Sequence, residues 1–387
     1  MKKLEVIKTN KSTIENFVDE CSDAFAERRH VIEAMVDALA SGEHVLLIGP
    51  PGTAKSALVD SFSGALSSTS FQYLMTRYTT PDEIFGPMSV AGLKNDKLKR
   101  VTSGRLPEAE FAFLDEIFKA NSAVLNSLLT ALNERKFDDD GQRKDLPLRL
   151  CVGASNELPT TGDGLGALHD RFLFRFFVDY INDPDLAEKV LFDDLPEVKT
   201  MIDKKDLERI RQNAKKVKVS DDVRRSLLLI RNKFAEKGIR VSDRRWIKIV
   251  KVLRVKSARL GYDEVQMSFL DDVVSMAWER PEQIEMIKEI VEEFLPQSYR
   301  EYLLTKKTVD ELAVKLQNAL NRAGGGCSDV EEEELSNLGS SSNKTLKRCR
   351  GKVRELKIEE VNKKILLKKI AAQMKQAQKL GTIFYAL

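Results

Sequence analysis

No apolar run in this 387-residue chain approaches the length of a membrane-crossing helix. Met1-Lys2-Lys3 has the basic start of a secretory leader, but Glu5 and Lys8 interrupt any apolar core behind it, so no leader is expected. Cysteine is scarce. Cys21, Cys151, Cys327 and Cys349 show no paired spacing, and Cys151 lies in an apolar run, which predicts reduced thiols in a cytoplasmic protein. Charge of one sign is also missing: 63 Lys and Arg against 60 Asp and Glu leave +3, so the chain as a whole is not marked as a nucleic-acid binder. A charged content of 32% this evenly balanced predicts helices with solvated, salt-bridged faces. No repeat of fixed period is visible. The length allows two or three domains and a large core.

Against that background, Gly49-Pro50-Pro51-Gly52-Thr53-Ala54-Lys55-Ser56 stands out. It follows the apolar run Val45–Ile48 and opens the helix-permissive stretch from Ala57, the strand–loop–helix setting of a phosphate-binding loop. Backbone N–H groups of such a loop cradle phosphate oxygens at the positive end of the next helix. Lys55 adds a mobile charge near the β- and γ-phosphates, and the Ser56 hydroxyl is placed to ligate magnesium.

Further short apolar runs at 71–75, 111–114, 148–154 and 172–178 alternate with helical segments, which predicts a parallel sheet covered on both faces. Phe111-Ala112-Phe113-Leu114-Asp115-Glu116 ends one strand in two acids. There Asp115 can hold the metal and Glu116 can orient or deprotonate water. Another run ends at Asn156, an amide able to bond a γ-phosphate or the attacking water. Arg171, in Asp170-Arg171-Phe172, is a candidate to reach a neighbouring subunit's nucleotide, with Arg175 a close competitor. Arg244, near a helix start capped by Ser242 or Asp243, is a candidate to reach across a domain cleft to the phosphates.

Between Thr79 and Pro107, repeated Pro and Gly predict an inserted hairpin rather than a helix. The strands stop near 185, and residues 186–290 show helical periodicity. Residues 291–387 are expected as a helical extension, with a flexible linker near 323–343 where Gly, Glu and Ser cluster. Residues 344–380 hold thirteen Lys and Arg against three Glu, with Val353, Leu356, Val361, Ile365, Ile370 and Met374 at roughly helical spacing, a basic amphipathic helix or pair of helices.

The loop with Ala54 in place of the usual Gly, and the run Tyr73-Leu-Met-Thr-Arg-Tyr-Thr-Thr-Pro-Asp-Glu-Ile-Phe-Gly-Pro87, are joined by several shorter motifs. These are Thr102-Ser-Gly104, Leu106-Pro-Glu-Ala-Glu110, Leu128-Leu-Thr-Ala-Leu-Asn-Glu134, Ala154-Ser-Asn-Glu-Leu-Pro159 and Val241-Ser-Asp-Arg-Arg-Trp246. Together they resemble the RavA branch of the MoxR AAA+ ATPases. The resemblance implies a three-layer α/β/α core over residues 1–185 with a five-stranded parallel sheet, residues 79–107 as an insert in helix 2, and a helical lid over 186–290. It places Gly49 to Ala57 on the Walker A loop, with Lys55 and Ser56 its functional pair. Asp115 and Glu116 fall on Walker B, Asn156 on sensor 1, Arg171 on the arginine finger and Arg244 on sensor 2. It further implies ATP rather than GTP, magnesium, a hexameric ring, and chaperone-like remodeling of proteins, often with a von Willebrand factor A domain partner. RavA proteins often carry a small β-rich domain after the lid; residues 291–387 read as helical and linker-like, so no such domain is expected among them and its partners are not carried over. A different reading makes the chain a nucleic-acid-associated motor, or an ATP-regulated scaffold, working through its basic tail. That tail has no aromatic residue before Phe384 to stack on single strands.

Overall fold

The structure, a computed structural model, describes residues 13–158, 166–181, 183–193, 196–323 and 329–382. The central apolar runs become strands because residues buried on both faces of a parallel sheet have no polar side to alternate with, whereas the edge strand Ser70–Leu74 buries only Phe71. The strands are β1 (Val45–Ile48), β2 (Ser70–Leu74), β3 (Phe111–Asp115), β6 (Leu150–Ser155) and β7 (Phe174–Phe177), with β4 (Lys136–Asp139) and β5 (Gln142–Asp145) forming a separate two-stranded hairpin. The five-stranded sheet has the order β2-β3-β6-β1-β7, all parallel, with Leu47 opposite Ala154 and Phe176, and Tyr73 opposite Leu114. Crossing back from β3 through β6 to β1 puts the ends of β1, β3 and β6 side by side at one edge. That edge is where ligands collect in open α/β sheets.

The segment 79–107 is not simply a hairpin. Pro81–Phe85 and Val90–Leu93 are short helices, and one antiparallel bridge, Met88 to Arg100, is all that pairs. The reason is local. Thr80 and Glu83 form a reciprocal capping box with Pro81 in the first turn, so the chain enters a helix there. Gly86 has φ 97°, and a Cβ on it would lie 2.0 Å from the Val101 carbonyl oxygen, so only glycine lets the two ends of the insert close on each other. The true hairpin is β4–β5, turned by Asp140 (φ 55°) and Gly141 (φ 70°), a left-handed pair suited to a tight turn. Leu98 N–H donates to Asp140 at 2.9 Å and Arg100 N–H to Asp139 at 2.6 Å, which binds the insert to this hairpin.

The lid helices Lys204–Ala214, Asp221–Glu236 and Asp243–Arg259 begin at Asp203, Ser220 and Ser242, whose side chains accept backbone N–H bonds in the first turn. Lid and core are joined by buried charge. Arg259 Nε is 2.7 Å from Asp37 Oδ1 in helix Arg29–Ser41, and its Nη1 reaches Glu15 in helix Thr13–Ala24. The expected lid boundary at 186 meets a different grouping: residues 181–195 cluster with the C-terminal helices rather than with residues 196–291. The cause is Lys369, whose ammonium holds Asp183 at 2.6 Å and Asp310 at 3.0 Å, so the helix Pro184–Phe192 follows a segment fixed to the C-terminal unit.

That unit contains three long helices, Gln297–Ala323, Asp329–Glu355 and Glu360–Thr382, around Val309, Leu316, Leu346, Val353, Leu366 and Ile370. The expected linker near 323–343 is corrected: residues 329–343 are the first half of a helix, and residues 324–328 lie outside the described residues. Leu335 and Ser342 are buried, and a Cβ on Gly339 would lie 2.8 Å from both Ala377 O and Gly381 N. The small residues that looked like a linker are there because two helix backbones touch.

Two histidines give the fold a testable pH dependence. His44 is enclosed, its Nδ1 accepts the Cys151 N–H at 2.9 Å, and its Nε2 faces Leu132 O at 3.1 Å with Arg135 against it. Burial, then the Arg135 charge, hold its pKa well below the usual imidazole range. Burial, then Arg175 and Arg245, push His169 down to about 2. Both therefore stay neutral when folded and gain a proton only on unfolding. As pH falls below about 6.5, each costs about 1.4 kcal/mol of stability per pH unit. The urea midpoint is expected to be clearly lower near pH 5 than near pH 7, and equal midpoints would refute this linkage. The thiols are quiet: burial pushes Cys21 and Cys151 up to about 12.

Candidate nucleotide site

The loop after β1 is shaped by contacts that only small residues permit. A Cβ on Gly49 would lie 2.0 Å from the Val178 carbonyl oxygen, so the loop packs backbone to backbone against the end of β7. Gly52 has φ 78°, and Ala54 is left-handed at φ 59°, ψ 24°, immediately before helix Lys55–Gly64. An alanine pays a steric penalty there that glycine does not, which accounts for the usual glycine at this offset.

Lys55 is folded over the loop. Its Nζ donates to Gly49 O and Pro50 O, both at 2.8 Å, to Thr53 Oγ1 at 3.3 Å and to Asn156 Oδ1 at 3.2 Å. Burial lowers its pKa, partly offset by the nearby Asp115 and Glu116 carboxylates. Carbonyl dipoles alone are weak partners for an ammonium, so this side chain is held where an incoming phosphate can take it over.

Asn156, just past β6, faces both ways. Its Oδ1 accepts from Lys55 and its Nδ2 donates to Glu116 Oε1, an orientation that puts the amide oxygen on the cation and the N–H on the carboxylate. Glu116 has φ 51°, a strained backbone for a side chain of this size, and its other oxygen sits 3.4 Å from Lys119. At the end of β3, Asp115 takes the Glu116 N–H at 2.9 Å and the Ser56 hydroxyl at 3.4 Å. One corner thus brings together Lys55, Ser56, Asp115, Glu116 and Asn156. Its metal-facing donors are a hydroxyl and a carboxylate, and among the described residues no cluster of three or more His, Cys, Asp or Glu could hold an ion alone. Such a set suits magnesium, which keeps waters and takes further ligands from phosphates.

The arginines gather elsewhere. Arg244 Nη2 donates to Asp170 Oδ2 at 2.8 Å and its Nη1 to Asn133 Oδ1 at 3.3 Å. Arg171 Nη1 is 3.6 Å from the same carboxylate, and its Nε is buried without a partner. Among the described residues neither arginine bonds to Lys55, Ser56, Asp115 or Glu116. Arg175 is a different kind of residue. It is 1% exposed and donates to Phe172 O at 3.2 Å, His169 O at 3.1 Å and Trp278 O, so it is a structural tie rather than a surface arginine.

Three residues here escaped the sequence reading. Asp170 is one, since it draws in Arg244 and Arg245 from the lid. Arg28 is another: it is buried, donates to Asp179 O, and its charge bears on Lys55. The third is Tyr180, 56% exposed, whose hydroxyl reaches Pro51 O at 3.3 Å. Only the Asp170-Arg171 adjacency gave any sequence signal; the others are long-range.

Comparison with known proteins adds to this geometry. A family model described as the MoxR domain in the MoxR-vWA-beta-propeller ternary systems matches residues 12–214, and one described as an AAA lid domain matches residues 222–291. An uncharacterized protein of Methanocaldococcus jannaschii is 39% identical over 274 residues, 70% of this chain and 72% of that one. Chaperone MoxR1 of Mycobacterium tuberculosis is 27% identical over 52% of this chain and 54% of its own. A solved structure from Cytophaga hutchinsonii, of a protein assigned as an ATPase, superposes with a TM-score of 0.58 at 19% identity. It covers 73% of this chain and 93% of its own, a likeness of fold.

Proposed function

Because the chain belongs to the MoxR family of AAA+ ATPases, we propose that it hydrolyses ATP between the subunits of a ring, hexameric as the family resemblance implies. The cycle would remodel or activate partner proteins in the cytoplasm. A von Willebrand factor A domain protein is the partner of first choice, since the matched family takes its description from such systems. The narrower RavA-like placement rests on the motifs from Tyr73 to Pro87 and from Ala154 to Pro159. The observation that carries the reading is Asn156 bonded at once to Lys55 and to Glu116.

The roles follow from the chemistry at that corner. Gly49 to Ala57 wrap the phosphates, and Lys55 exchanges the Gly49 and Pro50 carbonyls for phosphate oxygens. Ser56 and Asp115 would hold magnesium, which when bound spreads and neutralises phosphate charge. Glu116 accepts a proton as water oxygen bonds to the γ-phosphorus. The bond from that phosphorus to the bridging oxygen breaks, and ADP leaves with the electron pair. Asn156 keeps the Glu116 carboxylate turned toward the γ-phosphate. Arg171 of a neighbouring copy neutralises charge in the transition state. Arg244, released from Asp170, couples the phosphates to the lid.

Two inactive variants test the shared site. Lys55→Ala removes the phosphate-binding cation, and Arg171→Ala is expected to lower kcat about a thousandfold. Mixed in equal amounts, each supplies what the other lacks at about a quarter of randomly assembled interfaces, and ATPase activity should return in proportion. If mixing restores nothing while both variants assemble, the trans-acting role of Arg171 is lost.

A further inference from the structure

The C-terminal unit carries a surface that nucleotide hydrolysis does not use. Within helix Asp329–Glu355, Leu346, Cys349 and Val353 face the bundle core, which fixes the opposite side outward. On that side Lys344, Lys347, Arg348, Lys352 and Arg354 are exposed, with Arg350 also exposed but nearer the core edge, and among the described residues none of them makes an ion pair. This contrasts with the core and lid, where exposed arginines such as Arg143 and Arg231 lie beside carboxylates. Glu355, at the helix end, is the one acid on this stretch.

Helical geometry places these cations on two flanks. Lys347 and Arg354 lie on one, with Arg350 below them toward the core edge, Arg348 and Lys352 on the other, and Lys344 and Gly351 on the crest between them. Gly351 has no packing reason to be glycine: a Cβ there would meet no atom within 4 Å. That separates it from Gly339 on the same helix, where a neighbouring backbone leaves no room. Glycine is the poorest helix former after proline, so its place on the crest of a basic face favours close approach by a ligand.

We propose that this face of helix Asp329–Glu355 docks sequence-independently into the major groove of double-stranded DNA, with its two flanks on the phosphates of the two strands. A helix about 10–12 Å across suits a groove about 12 Å wide, and the charged stretch runs about 15 Å along it. A single acidic peptide would meet one flank only, whereas a duplex offers two charged walls. No aromatic residue lies on the face, so it lacks a stacking platform for single strands. Phosphate contacts position without reading sequence.

The test is fluorescence anisotropy of the full chain without nucleotide, so the result is independent of the ATPase reading. The probes are a labelled mixed-sequence DNA duplex, a thymidine homopolymer strand and polyglutamate. Duplex should bind most tightly, and neutralising about five phosphates should weaken it about 500-fold between 50 and 200 mM salt. Changing Lys347→Glu, Arg348→Glu and Lys352→Glu together should abolish binding. Gly351→Leu should weaken binding about tenfold with the helical circular dichroism signal unchanged. The proposal is overturned if no duplex binding is detected at 50 mM salt, or if the triple variant binds like the parent. It is equally overturned if polyglutamate or the single strand binds as tightly as duplex, outcomes that would assign the face to an acidic protein or to single strands.

Discussion

Glu116→Gln is expected to leave ATP bound and nearly stop its turnover. The substitution keeps the length and shape of the side chain, so the phosphate loop, Lys55 and the Ser56–Asp115 corner have no reason to move. What changes is the ability to take a proton. In the parent, one Glu116 oxygen accepts from Asn156 and the other faces Lys119 at 3.4 Å, contacts that hold a carboxylate in one orientation. An amide can keep one of those contacts but presents an N–H on the other side, and it accepts no proton from water. Loss of a positioned general base lowers a rate by about 10² to 10⁴, so kcat should fall about a thousandfold with the ATP dissociation constant changed less than threefold. Equilibrium binding of a fluorescent ATP analogue, set beside steady-state phosphate release, reads the two effects separately. Undiminished release would remove Glu116 from the reaction; lost binding would make it a structural residue of the loop.

The parts of this site that were legible in the sequence are those whose chemistry is contiguous. A phosphate loop is eight neighbouring residues, and Asp115-Glu116 and Asn156 announce themselves because each follows a strand too apolar to be anything but buried. The sheet was legible for the same reason. Meaning set by a distant backbone was not. Gly339 and its serine neighbours read as linker until Ala377 and Gly381 are seen against them. Residues up to 185 read as core until Lys369 claims Asp183. The insert offered a further lesson. Thr80-Pro81-Asp82-Glu83 is a capping box and Asp140-Gly141 a hairpin turn, both local signals, yet the density of Pro and Gly over 79–107 hid the two short helices that flank its single antiparallel bridge. Asp170 shows the limit most clearly. Its neighbour Arg171 is adjacent in sequence, but Arg244 and Arg245 come from a helix more than seventy residues on.

Arg175→Ala is expected to destabilise the fold rather than only lower catalysis. The guanidinium spans three backbone carbonyls, those of His169, Phe172 and Trp278, and the Trp278 indole N–H returns a bond to Arg175 O at 3.1 Å. Strand β7 and the lid residues 273–278 are thereby stitched by a group that is 1% exposed. Truncation to alanine leaves a void and removes the side-chain partner of Trp278 O, while Phe172 O keeps Arg245 and His169 O keeps the Phe172 N–H. One unsatisfied acceptor costs about 1–3 kcal/mol and the void adds to it, so the loss should be about 2–4 kcal/mol. Lysine is no substitute, because one ammonium on a flexible stem cannot serve three carbonyls arranged around a planar fork. Arg171→Ala, by contrast, removes a side chain whose guanidinium makes only a loose 3.6 Å approach to Asp170, and its unfolding midpoint should stay close to the parent's. Urea unfolding of the two variants therefore separates the arginines without any assumption about the ring. A stable, assembled Arg175→Ala protein lacking only ATPase activity would return the transition-state role to Arg175 and leave Arg171 as its neighbour on the surface.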